Sequence, residues 1–289
     1  MRPTARFYDA HNHLQDDRFA GRQETILRAA AEAGVARMVV NGACATDWPP
    51  VTELARSHPG LVQPSFGWHP WYLDERGPDW ETALARQLDA HPDAFVGEIG
   101  LDHWMLDNPD RWRALLANAG QNKEAPPSLV EQEAAFVAQL RLAAARNLPV
   151  SIHCLHAFGR MHELLATHPR PERGFLLHSY GGPAEMIPAF ARLGGYFSFP
   201  GYFLHERKAR QRDVFRAIPP DRLLVETDAP DQLPPDSARP HRLEDTAGRP
   251  LNHPANLPAI YGELAAFLGE SVEALADRVA ANFTRLFGR

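Results

Sequence analysis

Eight short runs rich in β-branched and aromatic residues punctuate the sequence, at 6–10, 37–42, 62–67, 94–99, 149–153, 174–178, 195–198 and 222–227. Each is followed by a polar turn and then by a stretch of helical periodicity. Ile26, Ala29, Ala30 and Ala33 share one helical face before Gly34. Ser128 and Glu131 form a capping-box pattern ahead of Phe136, Leu140 and Ala144. Ser271 is a plausible N-cap for a last helix that lines up Leu275, Val279, Phe283 and Leu286. Strand–helix alternation of this kind implies a parallel sheet covered by helices. Eight units suggest closure. The expected fold class is α/β, a single (β/α)8 TIM barrel domain over residues 1–289 with an insertion after strand four at about 106–128. An open doubly wound sheet fits less well, because no glycine-rich phosphate loop follows the first run.

The polar residues fall where a barrel would use them, since its active site forms at the carboxyl ends of the strands. Run one leads into His11 and His13, run three into His69, run four into Glu98 and Asp102. Run five ends at His153, run six at His178, and run eight leads into Asp228. Far apart in sequence, these groups would meet on one face. Three stretches exceed a bare barrel: 108–128, 200–212 and 231–254. The first is a long insertion on the active-site side, suited to a lid or a partner surface.

His11 and His13 are two apart, so their side chains project to the same side of the strand and can chelate one ion. With Glu98, His153, His178 and Asp228 they make six ligands of types suited to zinc, manganese or similar ions. Six groups are enough for two ions ~3.5–4 Å apart that share a bridging carboxylate. Glu98 is the expected bridge, because run four lies between the two groups of histidines. Asp228 is the expected general base, a carboxylate kept ionised by an adjacent cation. The expected cofactors are thus one or two divalent metal ions (Zn, Mn, Mg or similar). Glu98 and Asp228 are the expected catalytic residues.

Glu226 is assigned to the opposite face and a structural role. His69 is expected at substrate, and Asp102 and His103 at substrate or behind a ligand. Trp68, Trp71 and Tyr72 are candidates to stack on a ring, and Cys154 is read as a buried thiol.

The formal net charge of −6 offers no broad basic field for duplex nucleic acid, while 44% hydrophobic residues suffice for a core. No apolar run approaches the ~20 residues of a membrane span. The first run begins too early to leave room for a signal peptide, and two cysteines make no disulfide framework. The cytoplasm is the expected compartment, with no membrane and no obligate protein partner.

The motifs resemble those of the TatD-type deoxyribonucleases of the amidohydrolase superfamily over nearly the whole chain. The resemblance is carried by Asp9-Ala-His-Asn-His13, Gly67-Trp-His-Pro70, Gly97-Glu-Ile-Gly-Leu-Asp102 and Ile152-His153. His178-Ser-Tyr-Gly-Gly182, Glu226-Thr-Asp-Ala-Pro230 and Asn282-Phe-Thr-Arg-Leu-Phe287 complete it, with Gln132 and Phe136 on the helix before strand five. It implies a TIM barrel, a divalent metal centre and hydrolysis of phosphodiesters, often of DNA. Two departures stand out. Cys154, Leu155 and His156 replace the family's Ser-Arg-Asp, removing an arginine suited to phosphate. Leu251-Asn252-His253-Pro254 replaces Arg-Asn-Glu-Pro. The expected activity is exonuclease or deoxyribonuclease. The alternatives are hydrolysis of an amide, lactone or aminoacyl ester on the same centre, or a non-catalytic scaffold.

Overall fold

The computed structural model describes residues 5–118, 121 and 123–288. Eight strands pair in parallel, each with the next in sequence. They are β1 (Phe7–Asn12), β2 (Val35–Gly42), β3 (Val62–Phe66), β4 (Phe95–Asp102), β5 (Val150–Leu155), β6 (Phe175–Leu177), β7 (Gly195–Pro200) and β8 (Leu223–Glu226). All eight expected runs are strands, and the fold is the (β/α)8 barrel. β1 and β4 run further than expected, so His11 lies within β1 and Asp102 ends β4.

The helices are α1 (Gln23–Glu32), α2 (Trp48–Ser57), α3 (Trp80–Ala90), α4 (Trp104–Asp107), α5 (Pro109–Asn118) and α6 (Leu129–Arg146). They continue with α7 (Phe158–Thr167), α8 (Ile187–Arg192), α9 (Ala209–Val214), α10 (Leu257–Leu268) and α11 (Val272–Phe287). Their starts follow from local chemistry. Ser128 caps α6 with the reciprocal Glu131 contact, and the Ser271 hydroxyl accepts from the Ala274 N–H at the start of α11. The stripe of Leu275, Val279, Phe283 and Leu286 is buried against the barrel.

The ring is completed between β1 and β8 by individual bonds. The Asp228 N–H donates to the His11 carbonyl (2.9 Å) and the His13 N–H to the Ala229 carbonyl (2.7 Å). Below them the buried Asp9 carboxylate accepts the Thr227 N–H (2.9 Å) and hydroxyl (2.5 Å). These bonds satisfy backbone groups that a sheet edge would leave unpaired. They also fix Asp228 beside His11.

β4 lies close against β5 because of one glycine. A Cβ on Gly100 would fall 1.9 Å from the His153 carbonyl oxygen, so a side chain there would push apart the strands that carry Glu98 and His153.

The stretch expected as an insertion contains α5, and α4 just before it joins α5 in burying Met105, Trp112 and Leu116 against Trp71 and Tyr72. Residues 119, 120 and 122 of it lie outside the described residues. After β8 the chain forms a small antiparallel hairpin, β9 (Leu243–Glu244) with β10 (Pro250–Leu251). Asn252 anchors it by donating to the Thr227 carbonyl (2.7 Å).

Candidate metal centre

Glu98 stands at the middle of the barrel mouth and divides it. Its Oε2 lies 3.4 Å from His11 Nε2 and 3.2 Å from His13 Nε2. Asp228 Oδ1 completes that side, 3.6 Å from both imidazoles. Glu98 Oε1 faces the other way, 3.1 Å from His153 Nδ1 and 2.8 Å from His178 Nε2. All six expected ligands converge. They form two sets that share one carboxylate.

Three of the four histidines are turned by a hydrogen bond at the second nitrogen. His13 Nδ1–H donates to the Asn41 carbonyl (2.8 Å), and His153 Nε2–H donates to Asp102 Oδ2 (3.1 Å). His11 Nδ1 lies 2.8 Å from the Ser151 hydroxyl, while His178 Nδ1 makes no hydrogen bond among the described residues and faces the Glu226 carboxylate at 3.7 Å as a charge neighbour. An acceptor behind one ring nitrogen holds the proton there and leaves a lone pair on the other. The lone pairs point inward, and His11 Nε2 and His13 Nε2 are only 3.2 Å apart. Two lone pairs at that distance repel unless a proton or a cation lies between them.

The electrostatics agree. Burial opposes charge on the imidazoles, yet Glu98, Asp228 and the Asn41 carbonyl push His13 up to about 10. Against the same burial, Asp102 and Glu98 push His153 up to about 9, and Glu98 with Glu226 holds His178 well above the usual range. Burial and the neighbouring His178 push His11 down to about 3. Burial would raise Glu98, but His69, His178 and His11 hold it well below the carboxylate range. Asp228 is pushed up to about 7, chiefly by burial. Protons thus occupy positions where cations would satisfy the same donors. The donor set fits divalent metal.

The other expected site residues divide. His69 is buried, with Nε2 3.4 Å from Glu98 Oε1. Asp102 is fully buried, and its carboxylate accepts from the Trp71 indole N–H (2.7 Å), His153 and the Met105 N–H (3.1 Å). With its oxygens so engaged, it stands behind His153. His103 is on the rim, partly exposed, with Nδ1 3.2 Å from Asp107 Oδ2. Trp68 is buried in the core, which removes it as a stacking surface. Trp71 is spent partly on Asp102.

Glu226 corrects the reading from sequence. It is two residues from Asp228 and shares its parity, and its buried carboxylate faces His178 while accepting the Ser179 and Ser198 hydroxyls. Two glutamines of α6 were also missed as positioning groups. Gln139 bonds both the N–H (2.7 Å) and carbonyl (3.1 Å) of Trp68, and Gln132 accepts from the Asp102 N–H (2.7 Å). Both are buried polar residues in an otherwise apolar helix face, and that is the signal that could have found them.

A parallel barrel carrying four imidazoles and two carboxylates at the mouth of its strands is the architecture of a metal-dependent hydrolase. The family model described as TatD related DNase matches residues 8–288. This chain belongs to that family. It is 32% identical over 285 residues to the 3'-5' ssDNA/RNA exonuclease TatD of Pantoea vagans, covering 97% of this chain and 98% of the relative. It is 31% identical over 283 residues to the protein of the same description from Escherichia coli strain K12, with 97% and 98% covered. A crystal structure of a TatD homolog from Escherichia coli K12 superposes with a TM-score of 0.82 at 26% identity, covering 99% of each chain.

Proposed function

We propose that this protein hydrolyses phosphodiester bonds of single-stranded DNA or RNA, acting from chain ends, at two divalent ions straddling Glu98. His11, His13 and Asp228 would hold one ion, His153 and His178 the other, with Glu98 bridging. The observation that carries this reading is the division of Glu98, one oxygen toward each set of inward-facing nitrogens. When bound, such ions supply positive charge that polarises a phosphoryl oxygen and makes a water molecule more acidic.

The chain's own residues do the rest. Asp228 sits at the edge of the cluster and takes the proton of the attacking water on its carboxylate. Its backbone is in the left-handed region (φ 52), a conformation costly for aspartate that aims the carboxylate at the cluster. Asp102 and Glu226 hold His153 and His178 in the orientation that ligation requires. His69 and the rim His103 lie on the substrate side. The exonuclease relatives favour phosphodiester over amide, lactone or aminoacyl ester substrates. Among the described residues no helix is long and apolar enough to cross a membrane, and Cys44 and Cys154 are free. The reading places the enzyme in the cytoplasm.

The test pairs elemental analysis of protein purified without added metal with an activity panel. A single-stranded oligonucleotide is set beside small esters and lactones. Shortening of the oligonucleotide, with one or two ions per chain, is expected. Turnover of the esters or lactones alone would replace the nuclease reading.

A further inference from the structure

Distance alone would make His69 a seventh ligand. Its Nε2 is 3.4 Å from Glu98 Oε1, its ring is 4.5 Å from that of His153, and the three groups lie close enough to hold an ion. Its hydrogen bonding says otherwise. His69 caps the 3-10 turn Pro70–Glu75 with extended backbone (φ −67, ψ 145). Pro70 has no N–H, so the first amide of the turn needing an acceptor is that of Trp71. His69 Nδ1 accepts it at 3.1 Å. A neutral imidazole that accepts at Nδ1 carries its proton on Nε2. The nitrogen aimed at the centre therefore has a hydrogen to give and no lone pair. His13 and His153 are bonded in the opposite sense, with an acceptor behind the outer nitrogen and a lone pair facing inward.

The arrangement is a local property of the His-Pro sequence. His253 precedes Pro254, caps the turn Pro254–Asn256, and accepts the Ala255 N–H on Nδ1 at 2.9 Å. The same three-residue device sets the same tautomer at two places in the chain. At His69 it is applied to a ring buried against the metal ligands.

We infer that His69 is a fixed neutral donor, and that its Nε2–H holds a non-bridging oxygen of the scissile phosphate. This rests on the phosphodiester reading above. Charge builds on those oxygens during phosphoryl transfer, and a donor oriented in advance by backbone needs no reorganisation when it does. Within a set of ligands built to attract cations, His69 is the member that addresses an anion.

Three measurements on the metal-loaded full chain test it. Nitrogen-15 histidine spectra should assign the His69 proton to Nε2, the nitrogen facing the centre, whereas His13 carries its proton on the outward Nδ1 and His153 on the outward Nε2 that meets Asp102; a metal-bound His69 Nε2 would overturn the inference. His69→Ala should keep the wild-type metal content while weakening inorganic phosphate binding ~10-fold or more and lowering turnover ~10²–10³-fold, as loss of an oxyanion donor does. His69→Gln, which restores an N–H donor, should recover part of both. Loss of an ion in His69→Ala, or unchanged phosphate affinity, would refute the role even if oligonucleotides are cleaved. If wild-type protein cleaves no oligonucleotide yet the tautomer and the phosphate effect hold, the nuclease reading falls and the donor role of His69 stands.

Discussion

The two sides of Glu98 are built differently. On the side of β1 and β8, His11 and His13 are backed by neutral groups, the Ser151 hydroxyl and the Asn41 carbonyl, and the negative charge comes from Asp228 itself. On the side of β5 and β6, His153 and His178 are each backed by a buried carboxylate, Asp102 and Glu226. A carboxylate behind an imidazole makes it a stronger base and a stiffer ligand. On the two-ion reading proposed above, the β5–β6 side would be an anchoring half, with its anions in reserve behind the rings. The β1–β8 side places its anion at the front, where a proton can be taken. On that same proposed reading, one site would serve retention and the other chemistry.

The substitution that should erase the contrast is Glu98→Gln, because both halves depend on that charge. Both ions should be lost from the purified protein and turnover should fall ~10³-fold or more, as expected when a shared metal bridge is removed. Elemental analysis with the same preparation's activity checks it. Asp228→Asn separates the halves. The fold should remain, shown by an unchanged circular dichroism spectrum and melting curve. Turnover should drop ~10²-fold or more, the usual cost of losing a general base. The ion of the β5–β6 half should stay, and near-full activity would remove Asp228 from the chemistry.

Glu226→Gln and Asp102→Asn should each weaken one ion by ~10–100-fold, the typical cost of removing a group behind a ligand. Calorimetric titration should show the other ion binding as before. Ser151→Ala, on the neutral-backed side, should cost less than ~10-fold in affinity for its ion. A larger effect than that of Glu226→Gln would reverse the assignment of the anchoring half.

Protons give a milder test of the same difference. His153 is raised to about 9 and His178 lies well above its usual range, so both carry protons at neutral pH in the metal-free protein. On the other side His13 is raised to about 10 while His11 is lowered to about 3, so one of the two does. A proton on a raised group must leave before a cation can bind, so affinity falls as pH drops below the raised value. The β5–β6 half should release roughly two protons on filling, and the β1–β8 half roughly one from His13 plus about half of one from Asp228, which is raised to about 7. Calorimetry in buffers of different ionisation enthalpy reads both.

Much of this was legible from the residues. Eight apolar runs separated by helical periodicity left little choice but a barrel, and a barrel turns six distant residues into neighbours. Strand ends were read short at β1 and β4 because polar ligands at a barrel mouth look like loop residues. Glu226 was misassigned although its spacing from Asp228 already placed both on one face. Gln132 and Gln139 act on backbone of β4 and of the segment after β3, contacts between elements at which only two polar residues on an apolar helix face hinted. The turn at His69 was readable in principle, since a proline after the cap leaves one amide for the ring to accept.

The most direct measurement is an anomalous-difference map from crystals grown with manganese. Two peaks flanking Glu98, ~3.5–4 Å apart, are predicted. One should be ligated by His11, His13 and Asp228 and the other by His153 and His178, with His69 touching neither. A map with no peak at the barrel mouth, or with ions held by other residues, would contradict the account.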